Sequence, residues 1–275
     1  GEKITLNVCF LTKLAKINHR TGIGQKSINL GNFYPVLCAY LDGEFYECVY
    51  YSDGDPFVSE CASYQVVLTV PKEYTVTSEK TLESKKEYTM SASNVRDFAI
   101  VLSDCFEVAE TKWKGVDIKY YYYNDETPAA HLAAAQEALE YYSATFGAYP
   151  YDIYSVVQTG FCYGVMEFPA LSLISDALNE QNCVYTIVHE TAHQWWYVAV
   201  GSNQVENAWQ DEGLTEYSAA LFFENHPDYG FTREQLIADA LADGLNFGRG
   251  EDDNTVVITD GGVGEFDAKY TWDRG

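Results

Sequence analysis

The first part of the chain is a succession of short apolar stretches broken by turn residues. These stretches are rich in β-branched and aromatic residues, which favour strands. Gly, Pro, Asp and Asn separate them, and Asp53-Gly54-Asp55-Pro56 is a clear turn signal. Strands are predicted at Ile4–Phe10, Val36–Tyr40, Gln65–Val70, Phe98–Leu102 and Tyr120–Tyr123.

A helical period replaces this pattern from residue 128 onwards. Pro128 can open a helix and Gly147 can end it, which predicts a helix from Pro128 to about Phe146. A strand is predicted near Ile153–Thr159, and an extended stretch runs through Met166–Pro169.

Two further helices follow. One is predicted over about Gln181–Val200, where apolar residues recur at helical spacing, and the other over about Asp211–Glu224. The order of elements predicts an α+β fold with two domains. We expect a β-rich domain at residues 1–114 and a mixed domain at residues 115–275.

The helix predicted at Gln181–Val200 contains His189-Glu190-Thr191-Ala192-His193. Four residues are just over one helical turn, so both imidazoles lie on one face and can bind one Zn²⁺. Glu190 lies beside that face, where it can take a proton from a water that the metal activates. This motif predicts a zinc-dependent hydrolytic site.

A catalytic zinc also needs a third protein ligand and one open position. Glu212 lies nineteen residues after His193, in the first turn of the next predicted helix, which can fold back against the previous one. We therefore predict one zinc ion bound by His189, His193 and Glu212. Asp211 and Glu216 could orient the histidines, although the simpler expectation is that one or both are solvated helix charges.

At these residues the chain resembles the gluzincin aminopeptidases of the aminopeptidase N type, in HETAH followed after eighteen residues by the Glu of WQDEGLTEY. Further similar segments are LGNFYP at residues 30–35, SDGDPF at 52–57, VVLTVPKEY at 66–74 and FGAYPY at 146–151. The resemblance implies an N-terminal β-sheet domain followed by a thermolysin-like zinc metallopeptidase domain. It also implies that the family's C-terminal helical domain is truncated or absent here.

The resemblance assigns a substrate-binding role to Glu167. The family carries Gly-x-Met-Glu-Asn, whose Glu binds the free α-amine of the substrate, and this chain has the bacterial-like variant Gly164-Val165-Met166-Glu167-Phe168. A carboxylate near the zinc is a natural partner for an ammonium group. The alternative for Glu167 is an exposed strand charge, and Phe168 departs from the family's Asn.

A second departure concerns the residue that stabilises the oxyanion. The family uses a Tyr within Tyr-x-Lys-Gly, whereas the corresponding segment here is Trp272-Asp273-Arg274-Gly275. Tyr270 lies two residues before Trp272 and is the candidate for this catalytic role. Its alternative role is packing.

Together these features predict a zinc-dependent metallopeptidase that removes N-terminal residues from peptide substrates, with Glu190 as the general base. The alternatives are an endopeptidase-like relative and a zinc-binding protein that has lost turnover. A formal net charge of -24 argues against nucleic acid as a partner. No stretch approaches 18 uncharged apolar residues, so no transmembrane helix is expected.

Overall fold

The computed structural model describes residues 3–47, 58–71, 75–77, 82–84, 87–161 and 164–248. The described strands are β1 (Thr21–Ile23), β2 (Ile28–Gly31), β3 (Tyr40–Leu41), β4 (Glu44–Phe45), β5 (Ala62–Thr69), β6 (Thr75–Thr77), β7 (Leu82–Ser84), β8 (Glu87–Val95), β9 (Ala99–Ser103), β10 (Glu107–Trp113), β11 (Val116–Tyr122), β12 (Ile153–Thr159), β13 (Val165–Phe168) and β14 (Leu171–Ser175). The helices are α1 (Pro128–Thr145), α2 (Glu180–Ala192), α3 (Ala208–Asn225) and α4 (Arg233–Gly248).

The strands before residue 104 form three small antiparallel sheets. Their orders are β1-β2-β9-β6, β3-β4 and β5-β8-β7. Apolar side chains from β6, β8 and β9 form a shared core, which includes Met90, Val95 and Ile100. This N-terminal unit has the β-rich character that its β-branched and aromatic residues predict.

The strands from residue 107 onwards form one mixed sheet in the order β10-β11-β12-β14-β13. The three central strands are parallel, and the two edge strands, β10 and β13, run antiparallel to their neighbours. The hairpin of β10 and β11 turns at Lys114 and Gly115, so this sheet begins on the N-terminal side of the predicted boundary. The division into two domains itself remains a prediction.

The two faces of this sheet have different partners. One face packs with α1, α2 and α3 around a core that contains Leu139, Ile187 and Phe222. The other face packs against β9 of the N-terminal unit, through a cluster that includes Val101, Phe168 and Leu173. The edge strand β13 is therefore held between the N-terminal unit and the helices.

Two of the predicted strands were wrong. Residues 4–10 form no strand, and Ile4 and Leu6 are exposed. Of Val36–Tyr40, only Tyr40 lies in a strand. β-Branched and aromatic residues favour an extended segment. Such a segment becomes a strand only where another strand provides the hydrogen bonds.

Helix α2 ends earlier than its apolar period predicts, at Ala192 instead of Val200. Its start is fixed by Asn179, whose side chain accepts a hydrogen bond from the backbone N–H of Asn182. At its end, the N–H groups of Val198, Ala199 and Val200 reach back five residues in a wider turn. This turn brings Tyr197 to a left-handed φ of 124°, which is strained for a residue with a side chain.

Contacts with the N-terminal unit hold Tyr197 in this conformation. The guanidinium Nε of Arg96 donates to the Tyr197 carbonyl at 2.7 Å, and the Tyr197 hydroxyl donates to Asp97 Oδ2 at 2.6 Å. Asp97 and Tyr197 are both buried. The premature end of α2 therefore depends on residues a hundred positions away, which the local period does not show.

Asp97 carries a buried carboxyl group whose charge disfavours folding at neutral pH. Burial is the largest influence and raises the pKa of Asp97 to about 6, although the hydrogen bond from Tyr197 and the charge of Arg96 lower it. The pKa of Asp97 is therefore higher in the folded than in the unfolded chain, where its ordinary value is 3.8. Such a carboxyl group stabilises the fold most at a pH below this unfolded pKa. That contribution is lost as the pH rises through the folded pKa.

We therefore expect Asp97→Asn to gain stability relative to the wild type as the pH rises. The variant stays neutral and can still accept a hydrogen bond from Tyr197. The difference in the free energy of unfolding should grow by about 2 kcal/mol from about pH 4 to pH 7, at about 1.36 kcal/mol per pKa unit. Urea unfolding at both pH values measures it, with Asp117→Asn at a half-exposed position as the control. Parallel profiles for Asp97→Asn and wild type would contradict the expectation.

None of the helices in the described part of the chain combines the length and the apolar character that crossing a membrane requires.

Candidate active site

The two histidines of the predicted motif lie at the end of α2 and face the same side. His189 is in the last turn, and His193 caps the helix. Both side chains are buried, and their Nε2 atoms are 3.1 Å apart. Two nitrogen atoms that face each other so closely can share a single cation.

Glu212 completes a triangle of donor atoms. Helix α3 begins at Ala208, three residues earlier than predicted, so Glu212 lies in its second turn instead of the first. Its Oε2 atom is 3.4 Å from His189 Nε2 and 3.6 Å from His193 Nε2. Ligands of a tetrahedral zinc at about 2.0–2.1 Å are separated by about 3.3–3.4 Å. The three donors therefore have the spacing that one zinc ion requires.

The electrostatics of this cluster favour positive charge. Burial lowers the pKa of His189, but the charge of Glu216 and hydrogen bonds to Glu212 and Glu216 outweigh it and raise that pKa to about 10. For Glu212 the directions are reversed. Burial raises its pKa, but the charge of His193 and hydrogen bonds from both imidazoles hold that pKa below its usual range. A divalent cation supplies the positive charge that these carboxylates require.

Each imidazole also contacts a carboxylate on its other side. His193 Nδ1 is 2.8 Å from Asp211 Oδ1, and His189 Nδ1 is 3.2 Å from Glu216 Oε1. A hydrogen bond at Nδ1 fixes the tautomer and leaves Nε2 for the metal. Asp211 is only 3% exposed and contacts His193 in this way, so it is not a solvated charge, whereas the Glu216 side chain is 29% exposed and forms an ion pair with His189.

Two polar residues that the sequence did not indicate hold these two carboxylates, and a third contacts His193 itself. The Tyr185 hydroxyl donates to Glu216, and the Gln204 amide donates to Asp211. Thr215 Oγ1 is 3.2 Å from His193 Nδ1. Tyr185 lies one helical turn before His189, so its spacing could have indicated this role. Gln204 lies in the loop before α3 and carries no such signal.

Glu190 lies beside the metal-binding triangle. Its side chain is completely buried, and its Oε1 atom is 3.9 Å from His189 Nε2. Donor atoms of Glu190, His189 and His193 all lie within 4.8 Å of one another. The carboxylate is thus close to the position of the metal, as its place in the motif predicts.

Glu167 lies on the edge strand β13, on the side that faces α2 and α3. Donor atoms of Glu167, His193 and Asp211 lie within 4.8 Å of one another, and Glu167 is only 3% exposed. The alternative of an exposed strand charge is therefore excluded. Phe168 belongs to the opposite face, where it packs so tightly on Gly31 of β2 that a side chain at Gly31 would collide with it.

Tyr270 and Trp272 lie outside the described residues, as does the SDGDPF segment. The role of Tyr270 in stabilising the oxyanion therefore stays a prediction.

Comparison with known proteins supports the predicted class of protein, a zinc metallopeptidase. Residues 130–258 match the model of the peptidase family M1 domain. This confirms the resemblance to gluzincin aminopeptidases that the sequence predicts, and it agrees with zinc as the cofactor. No curated protein matches the chain significantly.

Among solved structures, the chain is similar to the M1 zinc metallopeptidase from Deinococcus radiodurans and to a point mutant of that enzyme. Each comparison gives a TM-score of 0.54 at 20% sequence identity, over 68% of this chain and 46% of the other. The chain therefore spans less than half the length of these enzymes. At this identity the comparison demonstrates a shared fold.

Proposed function

We propose that this protein is a zinc-dependent metallopeptidase that removes N-terminal residues from peptides. The observation that carries the proposal is the triangle of His189 Nε2, His193 Nε2 and Glu212 Oε2, with sides of 3.1, 3.4 and 3.6 Å. These are the zinc ligands in the proposal. The match of residues 130–258 to a peptidase family supports the reaction class.

Zinc, when bound, polarises the scissile carbonyl and lowers the pKa of a water molecule. Glu190 is the general base in this proposal, since its carboxylate lies next to the triangle and is shielded from bulk water. It takes a proton from the attacking water and delivers it to the leaving amine. Asp211 and Glu216 hold the two imidazoles in the orientation that leaves both Nε2 atoms available to the metal.

Glu167 provides the selectivity for a free N-terminus in this proposal. Its carboxylate is buried near His193 and Asp211, so an ammonium group that reaches it forms an ion pair with little screening by water. A substrate bound in this way exposes its first peptide bond to the metal and to Glu190. Internal peptide bonds have no ammonium group to bind there.

Glu167→Gln tests the proposal most directly. We expect kcat/KM for a peptide with a free N-terminus to fall by about 10²-fold or more, because a shielded ion pair is lost. Cleavage of the N-acetylated peptide should change far less, and zinc content should stay near one per chain. The measurement is the ratio of the two kcat/KM values, with Glu87→Gln on the exposed surface of β8 as the control.

The outcomes separate the alternatives. An unchanged ratio in Glu167→Gln would leave a zinc hydrolase without selectivity for free amines, as in an endopeptidase-like relative. Stoichiometric zinc without hydrolysis of either peptide by the wild type would instead indicate a zinc-binding protein that has lost turnover.

A further inference from the structure

The residue after the last histidine of the motif carries a buried amide that the proposed mechanism does not use. Gln194 is completely buried. Its Nε2 donates to the carbonyl oxygen of Phe168 at 3.2 Å, and its Oε1 accepts from the backbone N–H of Ala170 at 2.8 Å. One side chain next to the proposed metal site thus binds two backbone groups of the β13–β14 hairpin.

These backbone groups belong to the tight turn that follows Glu167. Phe168 pairs with Leu171, so that Pro169 and Ala170 alone form the turn. Ala170 has a left-handed φ of 57°, which is unfavourable for a residue with a Cβ atom. Its carbonyl accepts from the N–H of Ser155 on β12 at 2.9 Å. The turn therefore keeps a strained conformation between two fixed partners.

An amide is a side-chain group that suits this place. The Phe168 carbonyl needs a donor and the Ala170 N–H needs an acceptor, and an amide provides both from one planar group. A carboxylate would keep the acceptor and lose the donor, and a methionine of similar size would lose both. Buried backbone groups left without partners are unfavourable, so the hairpin would shift or open.

The two residues that this contact joins, Gln194 and Phe168, each follow a residue of the proposed active site. Gln194 follows His193, a proposed metal ligand, and Phe168 follows Glu167, the proposed ligand of the substrate ammonium. Backbone geometry is stiff over a single residue, so a contact between the two neighbours, Gln194 and Phe168, couples the position of Glu167 to that of His193.

We propose that Gln194 is a positioning residue that sets the distance between the metal site and Glu167, and thereby the selectivity for free N-termini. This inference rests on the proposed function, because it assigns the amine to Glu167. Gln194 itself does not contact the substrate or the metal.

The matched control is Gln158 on β12. This residue is also buried, and its amide also binds the backbone on both sides, accepting from Tyr123 N and Asn124 N and donating to Asn124 O. It holds the loop after β11 instead of the hairpin after β13. A substitution there removes the same kind of interaction without changing the position of Glu167.

The test compares Gln194→Met, Gln194→Glu and Gln158→Met in the full chain. Hydrogen exchange over residues 164–172 in the metal-free protein reports on the hairpin without any turnover. Competition with a chelator gives the zinc dissociation constant. Turnover of a peptide with a free N-terminus and of its N-acetylated counterpart gives the selectivity ratio, which is kcat/KM for the free peptide divided by kcat/KM for the acetylated peptide.

We expect Gln194→Met to speed hydrogen exchange at Ala170 and to lower the ratio by about tenfold or more, with most of the change in KM for the free peptide. Zinc affinity should stay within about threefold, because Gln194 does not contact the metal. Gln194→Glu keeps an acceptor for Ala170 N, so it should protect that amide while still lowering the ratio. Gln158→Met should leave the hairpin and the ratio unchanged.

An unchanged ratio in either folded Gln194 variant, or unchanged exchange in folded Gln194→Met, would overturn the inference, as would an equal effect of Gln158→Met. A loss of zinc that matches the loss of activity would also overturn it, because Gln194 would then act through the metal. If Gln194→Met does not fold, the selectivity ratio of Gln194→Glu decides whether the inference holds. A wild-type ratio near one would contradict the aminopeptidase proposal instead, and the exchange experiment would then decide on Gln194 alone.

Discussion

Glu190→Gln should retain its zinc and lose hydrolysis by about 10²–10⁴-fold. The side chain is completely buried beside His189, and glutamine fills the same volume, so the helix and the metal-binding triangle should persist. The amide cannot accept a proton from water at neutral pH, which removes the general base. The loss should therefore appear in kcat, while KM changes little.

The control for this variant is Glu180→Gln, an exposed position in the first turn of the same helix. Both variants remove one negative charge from α2, but only Glu190 lies at the metal site. Zinc content and kcat are measured on both. Turnover near the wild-type rate in Glu190→Gln would remove Glu190 from the mechanism and leave the metal site intact.

The parts of the structure that the sequence predicted correctly are local. The four-residue spacing from His189 to His193 places both on one face of a helix whatever surrounds it. Helix α1 was predicted to end one residue later than it does, and β12 was predicted with its observed bounds, Ile153–Thr159. In these segments, capping residues and periodicity agree with the final packing.

The parts that it missed depend on contacts between distant segments. The early end of α2 requires Arg96 and Asp97 to hold Tyr197. His189 is paired with Glu216 from α3, and the Tyr185 hydroxyl donates to that carboxylate. Spacing along one helix does not reveal which face of another helix will meet it, so these partners become identifiable only when α2 and α3 are seen together.

The replacement of the family's Asn by Phe168 becomes understandable in the same way. The sequence shows only that Phe168 departs from the family's Asn next to Glu167. In the structure, Phe168 lies on the opposite face of β13, in the cluster between the sheet and the N-terminal unit. The backbone carbonyl of Phe168, and not its side chain, faces α2 through Gln194. A change of side chain here therefore alters the packing between the two units.

A graded loss of zinc should distinguish the ligands of the metal from the residues that orient them. His193→Ala removes one corner of the donor triangle and leaves two protein ligands, which hold zinc poorly. We expect this variant to lose its metal on dialysis. Asp211→Asn keeps all three ligands but weakens the hydrogen bond at His193 Nδ1, so zinc affinity should fall by about 10–100-fold.

His226→Ala is the matched control, because His226 lies at the other end of α3 and its Nδ1 contacts only the backbone carbonyl of Phe222 among its described hydrogen bonds. Zinc dissociation constants from chelator competition should rank His193→Ala as the weakest, then Asp211→Asn, with His226→Ala near the wild type. Circular dichroism establishes that each variant is folded. If folded His193→Ala keeps its zinc, the metal is not bound by the triangle of His189, His193 and Glu212. If Asp211→Asn is as weak as His193→Ala, Asp211 contributes to the metal site more than an orienting hydrogen bond would.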